Sequence, residues 1–470
     1  MEQTSFHSSI LKEYDIRGIV DQTLFERDAY WIGRCFGHLT RESAGFAVAV
    51  GQDVRLSSPK LSTALIQGLC DSGVDVYSLG IVPTPILYFA EYVLPVHSAV
   101  MITGSHNPPP YNGFKFSLHR KPFFGDSLHS FSELLTKPLF EGNGKVYEQN
   151  LTPQYLDRIL QDLNFDRNFT IAWDLCSGAT VEVVKKLIQR LPGKHILLNA
   201  EMDGNFPAHP PDSSDPKNLV QLQKAVLDNR CDLGLAFDGD GDRLAAIDSQ
   251  GNILWGDQLL LLFACDLLKR EPQALVIADI KTSQGFFDTI KNLGGKAIMW
   301  KSGHSPTKAK MAESGALLAG EVSGHFFFKE NYYGFDDGIY AALRLVHLLS
   351  HSSKSLAKIY KEFPLLFSTP ELRLPCAAEK KIPILQNIKS RLVSQGYSFN
   401  DIDGIRVQLP EGWWLLRPSH TQDVLVARCE SSTQQGLDTI LQHFMSELRH
   451  ESVEVSLDFF SDFKASSVFE

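Results

Sequence analysis

The segment FAVAVGQDVRLSSPKLSTALIQGLCDSGVDVYSLG, residues 46–80, contains an apolar run that ends at Asp53, a polar turn, a longer amphipathic stretch and a second apolar run. The first run is built from Val and Ala, as in strands whose sheet is covered on both faces. The middle stretch carries apolar residues three and four positions apart, which is the helical period. A serine a few residues after the aspartate can cap that helix. The segment therefore predicts a βαβ unit.

The same order of elements occurs twice more along the chain. The segments FTIAWDLCSGATVEVVKKLIQRLPGKHILLNA (169–200) and ALVIADIKTSQGFFDTIKNLGGKAIMWKSG (274–303) each start with an apolar run that ends at an aspartate, Asp174 or Asp279. The repeats lie about 105–125 residues apart, so each is a domain-sized unit and not a solenoid module. We expect three α/β domains with a shared topology.

After Leu366 the pattern changes to a short strand, a helix and a run of strands joined by short turns, residues 368–395 and 401–431. This order predicts a smaller α+β domain at the C-terminus. A chain of 470 residues also exceeds what one hydrophobic core supports. We predict four domains, with bounds at 1–150, 151–255, 256–366 and 367–470; the family resemblance carried by the motifs below implies that these domains lie around a central cleft.

Composition excludes several classes of protein. Apolar residues make up 43% and charged residues 21% of the chain, and the net charge of −10 is spread along it, without a basic run that would suit nucleic acid. The most apolar segment, residues 259–268, is too short to span a bilayer, and the N-terminus lacks a signal-peptide pattern. Seven scattered cysteines form no CxxC pair. We expect a cytoplasmic protein, monomeric or weakly dimeric, with no membrane or nucleic-acid partner.

The first segment whose residues could take part in catalysis is VMITGSHNPPPYNGFKF, residues 100–116. A strand-like run stops at Thr103, and three prolines at 108–110 exclude both a helix and an inner strand from the loop that follows. The pattern predicts a rigid loop that holds Ser105 and His106 at the end of a strand.

The strongest polar cluster is DGDGDR, residues 238–243, directly after another apolar run. Asp238, Asp240 and Asp242 would repel one another unless a cation lay among them, and the intervening glycines let the loop curl. Hard oxygen ligands suit Mg²⁺. The spacing fits neither an EF-hand, because Arg243 occupies the glycine position, nor the DxD motif of haloacid-dehalogenase-type phosphatases. A solvated acidic turn remains the alternative.

Two further motifs are weaker when taken alone. In GEVSGH, residues 320–325, Glu321 and Ser323 can face the same way and bind vicinal hydroxyls, although a capped turn has the same composition. In RPSHTQ, residues 417–422, a guanidinium and two hydroxyls sit in a turn, as in phosphate-binding loops, although a surface hairpin is an equal alternative. Single basic candidates follow in YDIRG (14–18), NGFKF (112–116), DIKTS (279–283) and WKSGH (300–304).

The ordered set TGSHNPP, DGDGDR, GEVSGH and RPSHTQ, together with YDIRG and WKSGH, resembles the α-D-phosphohexomutase family, in its bacterial phosphomannomutase/phosphoglucomutase branch. The resemblance covers residues 10 to 430 or so. It implies an isomerase that moves a phosphoryl group within a hexose phosphate through a phosphoserine and a hexose 1,6-bisphosphate, with one Mg²⁺ per chain.

The resemblance also implies a role for each motif position. Ser105 would carry the phosphoryl group and, once phosphorylated, join Asp238, Asp240 and Asp242 as a metal ligand. The catalytic set would be completed by residues that contact phosphate or move protons: His106, Lys115, Arg243, His304 and His325. The substrate-binding set would comprise Tyr14, Arg17, Lys281, His304, Glu321, Ser323, His325, Arg417, Ser419, His420 and Thr421.

Some points stay open at the level of sequence. His304, His325 and Lys115 are all candidates for the general base. The family usually has Gly or Asn at the position of His420, which leaves the role of that residue undefined. Val322 fits the glucose/mannose branch better than the amino-sugar branch, and glucose and mannose differ only at C2, so we expect activity on both. The alternatives are a phosphoglucosamine-type mutase, a sugar-phosphate phosphatase or bisphosphate synthase, and a non-catalytic sugar-phosphate-binding protein.

Overall fold

The computed structural model describes residues 5–364, 366–419 and 423–453. The chain forms two compact units. One contains the chain up to Ala278 together with Ile290–Ile298 and Gly303–Glu362, and the other contains Asp279–Thr289, Met299–Ser302 and the chain from Phe363 onward. None of the described helices has the length and apolar character that a bilayer crossing requires.

The first sheet has seven strands in the order β1-β5-β4-β2-β3-β7, with β6 paired to β5. Its strands are β1 (Ile16–Ile19), β2 (Ala47–Gln52), β3 (Asp75–Ile81), β4 (Ser98–Ile102), β5 (Tyr111–Leu118), β6 (Lys121–Pro122) and β7 (Val146–Glu148). Its helices are α1 (Glu26–Glu42), α2 (Ser58–Asp71), α3 (Thr84–Val93) and α4 (Asp126–Leu134). The β-prone runs of β2 and β4 are buried, and they pack against apolar residues of α1 and α2 in one core.

The second sheet has five strands in the order β12-β11-β10-β8-β9. Its elements are α5 (Thr152–Leu160), β8 (Phe169–Asp174), α6 (Val181–Leu187), β9 (Gly193–Leu198), α7 (Val220–Asp228), β10 (Leu233–Phe237), β11 (Leu244–Asp248) and β12 (Ile253–Leu254). Strands β8, β9 and β10 are parallel, and β11 returns antiparallel beside β10.

The third sheet has four strands in the order β14-β13-β15-β16. Its elements are α8 (Gly256–Arg270), β13 (Leu275–Asp279), α9 (Gln284–Asn292), β14 (Lys296–Trp300), α10 (His304–Ser314), β15 (Leu318–Gly320), β16 (Phe326–Phe328), α11 (Gly338–Ser350) and α12 (Leu356–Tyr360). Strand β15 is parallel to β13 and antiparallel to β16.

These three sheets contain the same four-strand order. It reads β5-β4-β2-β3 in the first sheet, β11-β10-β8-β9 in the second and β16-β15-β13-β14 in the third. In each sheet, the strand beside the first strand of the βαβ unit is parallel to it. The same strand is antiparallel to the strand that follows it in the chain. The shared topology predicted from the repeated segments is confirmed.

The last part of the chain has the predicted α+β character, an antiparallel sheet with a long helix, and a second long helix that was not predicted follows the last strand. Its elements are β17 (Phe367–Ser368), β18 (Leu372–Pro375), α13 (Ala378–Ser394), β19 (Phe399–Asn400), β20 (Ile405–Leu409), β21 (Gly412–Pro418), β22 (Val424–Ser431) and α14 (Gln434–His450). The strand order is β17-β22-β21-β20-β19, with β18 paired to β22. Apolar residues of both helices and of these strands form its core.

The predicted helix caps differ from the observed ones. Ser57 stands at the N-cap position of α2, but its side chain makes no capping hydrogen bond. Its Oγ accepts from Asn112 Nδ2 at 2.9 Å instead. Pro59, near the start of the same helix, has no N–H group to be capped.

Candidate active site

The three strongest motifs occupy equivalent turns of the three related sheets. TGSHNPPP fills the connection from β4 to β5, DGDGDR that from β10 to β11, and GEVSG with its following histidine that from β15 to β16. All three turns belong to the first compact unit. The fold therefore presents three loops with different side chains at the same topological position.

Ser105 is held in an unusual conformation beside the second turn. Its φ of +48° lies in the left-handed region, which few residues other than glycine adopt. The backbone N–H donates to Thr103 Oγ1 at 2.7 Å, and the side-chain Oγ donates to Asp238 Oδ2 at 3.1 Å. The ring of His106 lies 3.4 Å from the same Oγ. Burial and the charge of Arg243 lower the pKa of His106 well below its usual value, so this imidazole is neutral.

Asp238, Asp240 and Asp242 are fully buried and their oxygens lie within 4.8 Å of one another. Gly241 makes the curl possible, since its φ of +74° suits glycine. The alternative of a solvated acidic turn is wrong. Asp240 and Asp242 each keep one oxygen, Oδ1, that is buried without a hydrogen-bond partner among the described residues. Buried carboxylate oxygens without donors fit a divalent cation.

Lys115 on β5 supplies positive charge to this cluster. Its ammonium donates to Asp240 Oδ2 at 2.7 Å and also to Asp242. Burial alone would lower the pKa of Lys115, but the two carboxylates hold it above its usual value. Burial would raise the pKa of Asp240, but the Lys115 ammonium holds that pKa below its usual value. Burial and the neighbouring carboxylates raise the pKa of Asp238 well above its usual value, so negative charge in the cluster exceeds the charge that Lys115 neutralises.

Arg243 and His325 link the second and third turns. Arg243 Nε donates to His325 Nε2 at 3.1 Å, so the ring proton of a neutral His325 is on Nδ1. That Nδ1 lies 3.2 Å from Asp336 Oδ2 and 3.5 Å from Asp242 Oδ1. These three groups could also surround a metal ion by distance alone. A nitrogen that carries a proton cannot bind a cation, so we assign no metal ion to these three groups.

Asp336 accepts a hydrogen bond from Lys308 and lies close to two histidines, His304 and His325. Lys308 donates to its Oδ1 at 2.9 Å, and His304 Nδ1 lies 3.9 Å from its Oδ2. Burial would raise the pKa of Asp336, but Lys308 and His325 hold it well below its usual value. Burial and Lys308 lower the pKa of His304 well below its usual value, which leaves that imidazole neutral.

The sugar-binding candidates lie in the same unit. Glu321 Oε2 accepts from Ser323 Oγ at 3.3 Å and from the backbone of Gly303 at 3.1 Å, so the two side chains bond to each other. Tyr14 covers Gly303, where an added Cβ would lie 2.6 Å from its ring. Arg17 donates to the carbonyl of Thr103 at 2.9 Å, at the start of the loop 103–110 that contains Ser105, the serine loop.

Lys281, Arg417 and Ser419 belong to the second compact unit. Lys281 pairs with Glu371 at 3.0 Å and lies 3.8 Å from Asp279. Arg417 is buried, and its Nε donates to Asp403 Oδ2 at 2.9 Å. His420 and Thr421 lie outside the described residues.

Several buried groups of the site escaped prediction. Arg55 donates to carbonyls of the serine loop, Thr84 Oγ1 donates to Asp240 Oδ2 at 2.6 Å, and Asp336 joins the histidines. Arg55 gave no distinguishing signal, because an arginine shortly after a strand end has the same pattern as a surface residue. Thr84 and Asp336 gave little signal, because a threonine between prolines and a pair of aspartates are common in turns.

The whole chain is similar to known protein families. Residues 8–127, 153–251 and 255–367 match the models described as phosphoglucomutase/phosphomannomutase, alpha/beta/alpha domains I, II and III, and residues 371–447 match the C-terminal domain of the same series. A phosphomannomutase/phosphoglucomutase of Pseudomonas aeruginosa is 42% identical over 443 residues, which is 94% of this chain and 96% of that protein.

Two further relatives agree with this match. A phosphoglucomutase of Neisseria gonorrhoeae is 41% identical over 445 residues, covering 94% of this chain and 96% of that protein. The crystal structure of a phosphoglucomutase/phosphomannomutase family protein from Burkholderia thailandensis superposes with a TM-score of 0.90 at 37% identity, over 96% of this chain and 99% of that one.

Proposed function

The chain belongs to the phosphoglucomutase/phosphomannomutase family, and we propose that it interconverts hexose 1-phosphates and hexose 6-phosphates of mannose and glucose. The observation that carries this proposal for the described residues is the contact of Ser105 Oγ with Asp238 at the edge of three buried carboxylates. A nucleophile placed against a cation site is the arrangement that phosphoryl transfer requires.

In the proposed reaction, phosphorylated Ser105 gives its phosphoryl group to the free hydroxyl of a hexose monophosphate. A P–O bond forms to the sugar oxygen, the bond to Ser105 Oγ breaks, and the hydroxyl proton passes to a base. The resulting hexose 1,6-bisphosphate then presents its other phosphate to Ser105, which takes it up with the reverse proton transfer. The product is the isomeric monophosphate and a restored phosphoserine.

We assign one Mg²⁺ to Asp238, Asp240 and Asp242, with an oxygen of the phosphorylated Ser105 as a further ligand. The two unpartnered Oδ1 atoms support this assignment. A bound Mg²⁺ would neutralise charge on the phosphoryl group. Arg243 is placed to stabilise the same charge, since its guanidinium lies 3.7 Å from Asp238.

Three observations favour His304 as the general base over Lys115 and His325. Lys115 is held protonated by two carboxylates and cannot accept a proton. His325 uses Nε2 to accept from Arg243 and carries its proton on Nδ1. His304 is neutral, and its Nε2 is buried without a hydrogen-bond partner among the described residues. A neutral imidazole with a free lone pair is suited to accept the hydroxyl proton.

The remaining assignments follow the motifs. We propose that Glu321 and Ser323 bind adjacent hydroxyls of the sugar, which would serve glucose and mannose alike because these sugars differ only at C2. Tyr14, Arg17 and Lys281 would contact the substrate, and Arg417, Ser419, His420 and Thr421 would bind its distal phosphate. The domain bounds at residues 150, 255 and 366 and a monomeric or weakly dimeric state stay predictions.

The test is a substrate panel on the purified enzyme. With a trace of glucose 1,6-bisphosphate, mannose 1-phosphate and glucose 1-phosphate should be converted to the 6-phosphates, and glucosamine 1-phosphate should react poorly. Ser105→Ala should lower kcat by several orders of magnitude. Ser117→Ala is the matched control, because Ser117 is a buried serine on β5 that bonds to Glu91 and should leave kcat unchanged.

Three outcomes would contradict the proposal. Release of inorganic phosphate faster than isomerisation would favour the phosphatase alternative. Full activity of Ser105→Ala would remove the phosphoserine from the mechanism. Faster turnover of glucosamine 1-phosphate than of the two hexose phosphates would move the chain to the amino-sugar branch.

A further inference from the structure

A single buried guanidinium lies under the whole serine loop. Arg55 Nη2 donates to the carbonyls of Ser105 at 2.8 Å and Asn107 at 2.5 Å. Its Nη1 donates to the carbonyls of Pro108 at 2.7 Å and Tyr111 at 2.9 Å. The side chain has no exposed surface. One residue therefore binds three carbonyl groups of the loop between β4 and β5 and the carbonyl of the first residue of β5.

These contacts use the full donor capacity of the arginine. The fifth N–H, on Nε, donates to Asp53 Oδ2 at 3.0 Å. An arginine has five donors in a rigid plane, whereas a lysine has three on a rotating ammonium and cannot reproduce this pattern. The carbonyls need such a donor because three prolines remove N–H groups from the loop and a buried carbonyl without a partner is costly.

Asp53 fixes the guanidinium to the end of β2. Besides Arg55, its carboxylate accepts from Thr103 Oγ1 at 2.8 Å and from the backbone of Gly104 at 3.0 Å. Ser58 Oγ donates to its second oxygen at 2.5 Å. The Arg55–Asp53 pair thus holds both the start of the serine loop and its far end.

Gly104 is required by the same packing. A Cβ added there would lie 2.2 Å from Arg55 Cζ, which is far inside van der Waals contact. The glycine of the TGSHN motif thus leaves room for the guanidinium. Ser105, the next residue, has the left-handed φ of +48° that aims its Oγ at Asp238.

We propose that Arg55 is a positioning residue that sets the place of Ser105 Oγ for phosphoryl transfer, an inference that rests on the proposed phosphoserine. Arg55 does not touch the reacting atoms and acts through the loop carbonyls. Phosphoryl transfer needs the attacking and leaving oxygens in line, and a displacement of about 1 Å can reduce the rate roughly 100-fold. Loss of the planar set of donors on Arg55 should therefore slow transfer of the phosphoryl group to and from Ser105. It should leave substrate binding unchanged.

The experiment compares wild type, Arg55→Lys and Arg344→Lys, all as full-length enzyme. Each dephosphorylated protein is mixed with glucose 1,6-bisphosphate, and phosphorylation of Ser105 is followed by quenched-flow mass spectrometry. For Arg55→Lys we expect phosphorylation and kcat to fall by about 100-fold with KM within twofold. Arg344→Lys is the matched control, because Arg344 is a buried arginine of α11 that pairs with Glu330 at 3.0 Å, remote from the loop. It should lower the unfolding temperature and leave both rates unchanged.

The outcomes distinguish a failure of the phosphoserine mechanism from a failure of the positioning role of Arg55. If wild type takes no phosphoryl group on Ser105, the proposed mechanism itself fails. If wild type is phosphorylated and Arg55→Lys matches its rate, or if KM rises while kcat is kept, the positioning role is wrong. Should Arg55→Lys fail to fold, Gly104→Ala tests the same contact with the arginine present, because its Cβ must displace the guanidinium. It should show the same loss of kcat at constant KM, and wild-type kinetics there would overturn the inference.

Discussion

Lys115→Met should make the stability of the enzyme depend on divalent cations. The Lys115 ammonium is 3% exposed and donates to Asp240 at 2.7 Å and to Asp242, both of which are fully buried. Methionine has nearly the same length and fills the same space without the charge. The substitution therefore leaves the buried carboxylates with Arg243 as their nearest remaining cation, 3.7 Å from Asp238.

The magnitude follows from the burial of the pair. Removal of one partner of a buried ion pair costs about 3–5 kcal/mol, because the other charge stays desolvated. In a chelator, we expect the free energy of unfolding of Lys115→Met to fall by about this amount. A cation present at 100 times its Kd stabilises the native state by about 2.7 kcal/mol. Because the variant lacks the Lys115 charge that neutralises part of the same carboxylate cluster in wild type, Mg²⁺ should stabilise it by at least about 1 kcal/mol more than wild type.

The assay is urea unfolding of both proteins in EDTA and in saturating MgCl₂, followed by tryptophan fluorescence. Lys281→Met is the matched control, because Lys281 is also buried, pairs with Glu371 at 3.0 Å and belongs to the other compact unit. Its loss of stability should be the same in EDTA and in MgCl₂. The reasoning is refuted if Lys115→Met is as stable as wild type in EDTA, or if Mg²⁺ stabilises both by the same amount.

Two pH-dependent predictions concern groups near the site. Burial raises the pKa of Glu91 to about 7 from 4.5, so the native state keeps a proton that the unfolded chain releases, and stability falls by about 3 kcal/mol as pH rises from 4.5 to 7. Urea unfolding across this range should show that fall in wild type and not in Glu91→Gln; equal slopes would contradict it. His304→Gln should lower kcat by about 10²–10⁴-fold and abolish the acidic limb of the kcat/KM profile, which reports protonation of the base. A variant that retains this limb would show that His304 is not the base.

Local signals were enough to predict the repeated fold. Each βαβ unit depends on apolar periods and on an aspartate at a strand end, and these are properties of consecutive residues. Ser57 was wrongly predicted as a cap because its Oγ accepts from Asn112 Nδ2, a residue 55 positions away along the chain that only folding brings near. The short edge strands β6 and β12 have two residues each and give no periodic signal.

The site was predictable where its motifs are contiguous. The three carboxylates of DGDGD converge because glycines alternate with them, and this alternation is visible in the sequence itself. Arg55 and Thr84 could not be found in this way, because their partners lie 50 to 56 and 156 residues away along the chain. Only the packing of strand ends brings a guanidinium under a distant loop, and a lone arginine after a strand has no pattern that distinguishes it from a surface residue.

The equivalent turns of the three related sheets suggest how such an enzyme can diversify. The connections from β4 to β5, β10 to β11 and β15 to β16 differ in length, at residues 103–110, 238–243 and 321–325, while the strand order around them is the same. A threefold duplication of one ancestral module would leave each copy free to specialise at this one insertion point. Exchange of the 321–325 turn between relatives then tests whether this turn sets sugar selectivity, because the turns with Ser105 and with the three aspartates belong to separate modules.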